Sequence, residues 1–258
     1  MNTDRLITRR TVMSATCVAT VAAMMSPAPT AEAKTDLGRP RVMWQQCVER
    51  ALQCFPTGGG YHTGRNIPPG FRQTAWTGLD RAVRVTATGV CVDPYLATPS
   101  FCSSATYLLL LKSLELYEKT CGVMPPRKEW EYLKPYTVDH RPYPIQNDGV
   151  GAWGRANANG PGMAELAHEL KIGTNLYIGT TGEYANLADR NEMFASIRRY
   201  DFMKIFWNDE IGKDERGHMV VVLGRSSHSN RSRHRVGTVR YWSSNGSHTD
   251  INGGYGIK

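Results

Sequence analysis

The chain has 258 residues, 41% of them hydrophobic and 21% charged, with a formal net charge of +8. That is enough apolar material for a globular protein with one sizeable core. Part of the basic excess sits in Arg225–Arg235, without a helix-turn-helix pattern or interleaved aromatic motif, so the composition argues against a nucleic-acid partner. After residue 33 no run approaches the ~20 apolar residues needed to span a bilayer.

Residues 1–33 have the pattern of an export signal. Arg9-Arg10 stand in a Thr-Arg-Arg-Thr-Val-Met context, a weakly apolar stretch runs from Val12 to Met25, and Ala31-Glu32-Ala33 precedes Lys34. The paired arginines fit a twin-arginine route, with a general secretory route equally compatible, and the expected location is secreted or periplasmic. Residues 34–90 are expected to form an N-terminal extension packed on a main domain of residues 91–258. In the extension, Val42–Phe55 suits a short helix, Gly58–Gly70 an irregular Gly/Pro-rich stretch, and Leu79–Val85 a second amphipathic piece. The most secure helix covers Cys102–Cys121, with Leu108, Leu111, Leu114 and Tyr117 on one stripe and Gly122 then Pro125-Pro126 as its stop. Asp148–Gly162 is glycine-rich and polar, which predicts a surface loop entering a helix over Pro161–Leu170. Strands are expected at Met203–Trp207, His218–Leu223 and Val236–Trp242, the last two joined by the basic segment as a solvated hairpin loop.

Three residues in this scheme suggest chemistry. Cys102 opens an apolar helix, where partial positive charge and unpaired N–H groups lower a thiol pKa and can hold an oxyanion. His218 starts a β-branched strand and is a candidate base. Asn245 follows the next strand and is placed to orient an imidazole. A thiol on a helix, then a base and an amide on successive strands, is what covalent acyl transfer by a thiol requires. With Cys17 lost in the signal, five cysteines remain, an odd number. Cys102 is expected to stay free, with Cys47–Cys54 and Cys91–Cys121 paired.

Cys102-Ser103-Ser104-Ala105, the strand Asp201–Phe206, the strand Gly217–Gly224 and the polar end of the strand after it resemble the NlpC/CHAP branch of the papain-like cysteine peptidase superfamily, over roughly residues 91–258. The resemblance implies an α+β, papain-like fold, with the nucleophile helix packed on a small antiparallel sheet. It implies Cys102 as nucleophile, His218 as general base and acid, Asn245 as the third polar residue, and peptidoglycan peptides as substrate. The chain departs from the family pattern at Ser104, where a small glycine is usual, at Pro99-Ser100-Phe101, where an acidic residue is common, and in the lengthened interval from His218 to Asn245.

Around this triad, Ser103 and the other helix-end amides are expected to hold the oxyanion. Trp153, Asn157 and Asn159 either line a peptide or glycopeptide cleft or form an ordered loop anchored by Trp153. Tyr95, seven residues before Cys102, either helps the oxyanion hole or only packs. No cofactor is expected, and no metal, because the seven histidines include no His-Glu-x-x-His pattern. A serine triad lacks its Gly-x-Ser-x-Gly elbow. A monomer is expected. The competing function is a non-catalytic, disulfide-bonded wall-binding or structural domain on the same fold, which a free or bonded Cys102 distinguishes.

Overall fold

The computed structural model describes residues 7–12, 38–87, 89–122, 127–135, 145–146, 149–158, 162–170, 174–177, 194–207, 216–229 and 235–258. The helices are α1 (Gly38–Leu52), α2 (Ala75–Ala82), α3 (Cys102–Cys121), α4 (Arg127–Leu133), α5 (Gly151–Asn157) and α6 (Met163–Glu169). The strands are β1 (Ile7–Val12), β2 (Gly58–His62), β3 (Val83–Thr86), β4 (Gly89–Val92), β5 (Ile145–Gln146), β6 (Gly149–Val150), β7 (Thr174–Tyr177), β8 (Phe202–Phe206), β9 (Gly217–Ser229), β10 (Arg235–Asn245) and β11 (Thr249–Ile257). Seven of these strands form one sheet in the order β2-β11-β10-β9-β8-β1-β7, and every pairing in it is antiparallel. The class is α+β. Among the described residues, no helix is long and apolar enough to cross a membrane.

Helix α3 is the centre of the molecule. Its sequence predicts one apolar stripe, but the structure buries Leu108, Leu109, Leu110 and Leu111 alike, because the helix packs on β9 and β10 on one side and on α1 on another. A helix apolar around its circumference needs such cover. It ends where expected, at Gly122 in the left-handed region (φ 67°), whose N–H donates to the Glu118 carbonyl at 2.9 Å. Trp44, Cys47, Val48 and Ala51 on α1 share one core cluster with α3, Phe202, Trp242 and Tyr255. Residues 34–90 thus contribute to the same core as residues 91–258 and add β2 to the edge of the main sheet.

Several segments depart from expectation. Gly58-Gly59-Gly60 forms β2 rather than an irregular stretch, with all three φ angles between 75° and 86°. Its close approach to β11 requires small residues, since a Cβ on Gly254 would lie 2.0 Å from the Gly58 carbonyl oxygen. The stretch predicted as a surface loop contains β6 and α5. Trp153 there is 0% exposed and packs among Trp76, Phe101 and Tyr107, with ring centroids 6.0, 6.2 and 5.3 Å away. The stretch hid a core element because one large aromatic supplies the burial that several aliphatics usually provide. β1 lies within the expected export signal, so cleavage after Ala33 would leave β8 without its β1 partner; residues 13–33 lie outside the described residues.

The expected disulfides are not formed, and all five cysteines of residues 34–258 are free thiols. Cys47 and Cys54 are seven residues apart along a helix and its last turn, a separation of roughly 10 Å against the ~7 Å limit for a disulfide.

Glu115 on α3 is a buried carboxylate, 2% exposed. It accepts from the Val92 N–H at 3.1 Å, from Lys112 Nζ at 2.8 Å, and from Lys119 Nζ. Truncation leaves the Val92 donor and the half-buried Lys112 ammonium without this acceptor. Glu115→Ala is therefore expected to lower unfolding free energy by about 2–4 kcal/mol in urea denaturation. A loss below about 0.5 kcal/mol would show that the carboxylate does not organise this junction.

Candidate active site

Three elements converge at the start of α3. The helix has no side-chain cap at Phe101, whose apolar ring is buried. Ser104 instead turns back, accepting from the Phe101 N–H at 2.9 Å and donating to the Phe101 carbonyl at 2.8 Å. The first N–H groups of a helix have no intrahelical acceptor, so those of Cys102 and Ser103 face the space beyond the helix end.

His218 lies one residue into β9. The residue before it is glycine for a steric reason, since a Cβ on Gly217 would meet the Ile205 carbonyl oxygen at 2.5 Å. On the other flank β10 pairs with β9 in a register that includes Trp242 opposite Val221. Continued three residues, that register brings Asn245 opposite His218. The His218 Nε2 to Asn245 Oδ1 distance is 3.2 Å. The amide orientation follows from its other partners, because Asn245 Nδ2 donates to the Ser243 and Gly256 carbonyls, each at 3.1 Å. Oδ1 is then the acceptor, His218 Nε2 carries its proton, and Nδ1 is left for the cysteine.

Cys102 is hydrogen-bonded to His218. Burial alone raises the thiol pKa, but the His218 hydrogen bond and charge, a Met219 N–H and the Lys204 charge together bring it below the ordinary thiol value. Burial alone lowers the His218 pKa, and the hydrogen bond and charge of Cys102, with the Asn245 bond, bring it above the ordinary value. Both shifts favour one state, a thiolate beside an imidazolium. Tyr61, on β2, also hydrogen-bonds Cys102. Burial first, then the Cys102 charge and hydrogen bond, raise its pKa well beyond the ordinary phenol value, so its O–H stays protonated and donates.

These groups lie in a cleft of about 480 Å³. Its lining includes Tyr61, Arg65, Trp76, Asn157, Lys204 and His218. Arg65 lies over the Trp76 ring, 4.1 Å from its centroid. Trp207, 59% exposed, stacks beside His218 at 6.1 Å and 19°. Among the described residues the lining holds two permanent cations and no carboxylate. No group of three or more His, Cys, Asp and Glu among them is disposed to hold a metal ion.

Of the residues singled out in the sequence, Cys102, His218 and Asn245 come together. Ser103 and Asn157 also line the cleft, joined by a 2.6 Å bond from Ser103 Oγ to Asn157 Oδ1. Trp153 does not line it; it is core, as its packing against Phe101 and Tyr107 requires. Tyr95 is 64% exposed on the 3-10 turn Pro94–Leu96 and is also outside the lining. Asn159 lies outside the described residues. Tyr61, Arg65, Trp76 and Trp207 carry no sequence signal linking them to Cys102. Lys204 does carry one, as a lone charge in the apolar strand Phe202–Phe206.

No family model, no curated protein and no solved structure matches the chain.

These opposite pKa shifts have a direct chemical readout. Iodoacetamide should alkylate Cys102 at a rate that stays high at mildly acidic pH, because the lowered thiol pKa and the raised imidazole pKa both favour transfer of the proton to His218. His218→Ala removes that acceptor, so the rate should then rise only toward the alkaline range of an ordinary thiol. Identical pH profiles for the two proteins would show that Cys102 is not activated by His218.

Proposed function

We propose that this chain is a cysteine hydrolase that cleaves amide bonds through a thioacyl intermediate, acting on peptidoglycan peptides. The observation that carries the reading is the continuous hydrogen-bonded series from Cys102 to His218 to Asn245 at the helix start, open to a cleft. A structural cysteine needs neither a base nor an oriented third group.

In the proposed reaction, Cys102 sulfur, its proton held on His218, attacks the carbonyl carbon. The negative charge that develops on oxygen is met by the Cys102 and Ser103 N–H groups and by the Tyr61 O–H. His218 then protonates the departing amine as the C–N bond breaks, leaving an acyl group on sulfur. Water gives a proton to His218 as it attacks the thioester, and the thiol is released with the free acid. Asn245 exchanges no proton; it holds the ring and its tautomer. The papain-like fold, with α3 as nucleophile helix, is part of this reading and is supported by the packing of α3 on β9 and β10.

Substrate choice rests on cleft charge and on the resemblance to cell-wall peptidases. The positive charges of Arg65 and Lys204 in the cleft lining favour a peptide bearing carboxylates near the scissile amide, as peptidoglycan stem peptides do.

Incubation with defined muropeptides, with products identified by mass, tests the reading. Cys102→Ala and His218→Ala should each abolish turnover. Asn245→Ala should retain activity ~10- to 1000-fold below the parent, since it loosens the ring without removing the proton acceptor. Tyr61→Phe should lower kcat by ~100- to 1000-fold, the scale of losing one oxyanion donor. Adding Asn245→Ala to Cys102→Ala should change nothing further. Full activity in Cys102→Ala would refute the mechanism, whereas an unaffected Asn245→Ala would remove only the third assignment.

A further inference from the structure

We infer that Cys47 and Cys121, rather than the pairs expected from sequence spacing, are the cross-linking site of this protein, a disulfide that ties α1 to α3 at the end remote from Cys102. Trp44 on α1 and Tyr117 on α3 meet with ring centroids 6.3 Å apart. Cys47 lies three residues beyond Trp44 and Cys121 four beyond Tyr117, so one turn further along both helices brings the cysteines to the same packed face. The same direction follows from Thr120 and Cys121, both of which lie close enough to the Cys47 thiol to act on it. Cys47 is buried, and Cys121 is partly buried against the same core cluster.

Cys91 is on a different side of α3. Its strand, β4, meets the helix through Glu115, which accepts from the Val92 N–H, and through Lys112, which donates to the Val92 carbonyl at 2.8 Å. At 100° per residue, Cys121 is about 120° around the helix from Glu115, but only about 40° from Tyr117. Cys54 is held elsewhere, with its thiol donating to the Arg50 carbonyl at 3.4 Å.

The bond forms by exchange with a small-molecule disulfide. Cys121, the more accessible of the two, attacks first and releases one thiol. Cys47 then attacks the mixed disulfide at the Cys121 sulfur and releases the second. Two protein thiols are oxidised and one disulfide is reduced to two thiols. Burial, then the neighbouring Cys121 charge, raise the Cys47 pKa, so the second step should quicken as pH rises.

The test is equilibration of the purified protein with oxidised glutathione or with dithiothreitol, followed by alkylation, non-reducing peptide mapping and thermal denaturation. A Cys47–Cys121 linked peptide is expected, with Cys54, Cys91 and Cys102 alkylated. The oxidised form should melt about 10 °C higher, because the bond closes a loop of more than 70 residues. Cys121→Ser and, independently, Cys47→Ala should erase the redox-dependent shift, whereas Cys54→Ser and Cys91→Ser should keep it. A linked peptide joining Cys91 to Cys121, or full alkylation of all five thiols after oxidation, would overturn the assignment. Neither outcome bears on the Cys102 chemistry, which muropeptide turnover tests separately.

Discussion

The register of β9 against β10 decides where the polar groups of the site meet. Between Arg240 and Tyr241 the pairing steps from Gly224 to Val222, passing over Leu223. Without that bulge, continued pairing would put Asn245 opposite Met219, and since neighbouring residues in a strand point to opposite faces, amide and imidazole would part. With it, Asn245 faces His218. Other bonds hold the register at this end: Ser243 Oγ donates to the Met219 carbonyl at 2.6 Å, and Asn245 Nδ2 reaches across to β11 through the Gly256 carbonyl.

The thiol must then be brought to this strand end, and the segment before α3 does so by docking on the sheet. Tyr255 Oη donates to the Ala97 carbonyl at 2.7 Å, and Ser100 Oγ donates to Ser244 Oγ at 2.7 Å. Ser100 also exchanges backbone bonds with β2, its N–H donating to the Gly60 carbonyl and its carbonyl accepting from the His62 N–H. Two residues later the chain enters the helix at Cys102. Burial would by itself leave this thiol protonated and inert. What lowers its pKa is that the same docking brings it against His218, the Met219 N–H and the field of Lys204, whose sum outweighs desolvation.

The sequence made α3 legible because a long apolar run, a glycine stop and following prolines agree with one another. Cys102 and His218 were legible because each stands at an element boundary whose residue pattern is strong. Asn245 was found as the polar end of a strand, though the bulge that aligns it depends on pairing between strands and leaves no local mark. The same limit explains Tyr61, which reaches the thiol because β2 pairs with β11, elements 187 residues apart at His62 and Thr249. Trp153 illustrates a different failure. Glycine and asparagine around it predict a loop, but the single indole fills a space between Trp76 and Tyr107, so tertiary packing overrides local propensity. The cysteine pairs failed because parity and spacing along the chain say nothing about which faces of α1 and α3 meet.

The claim on which the rest turns is that Cys102 sulfur becomes covalently acylated during amide cleavage. Rapid acid quenching of the protein during turnover of a defined muropeptide, followed by peptide mapping, measures this directly. The account requires the acyl half of the cleaved peptide on Cys102, with the amine half free in solution, and no adduct or cleavage in His218→Ala. Cleavage that continues at the same rate after Cys102 has been fully alkylated, with no acyl group on any cysteine, would contradict it.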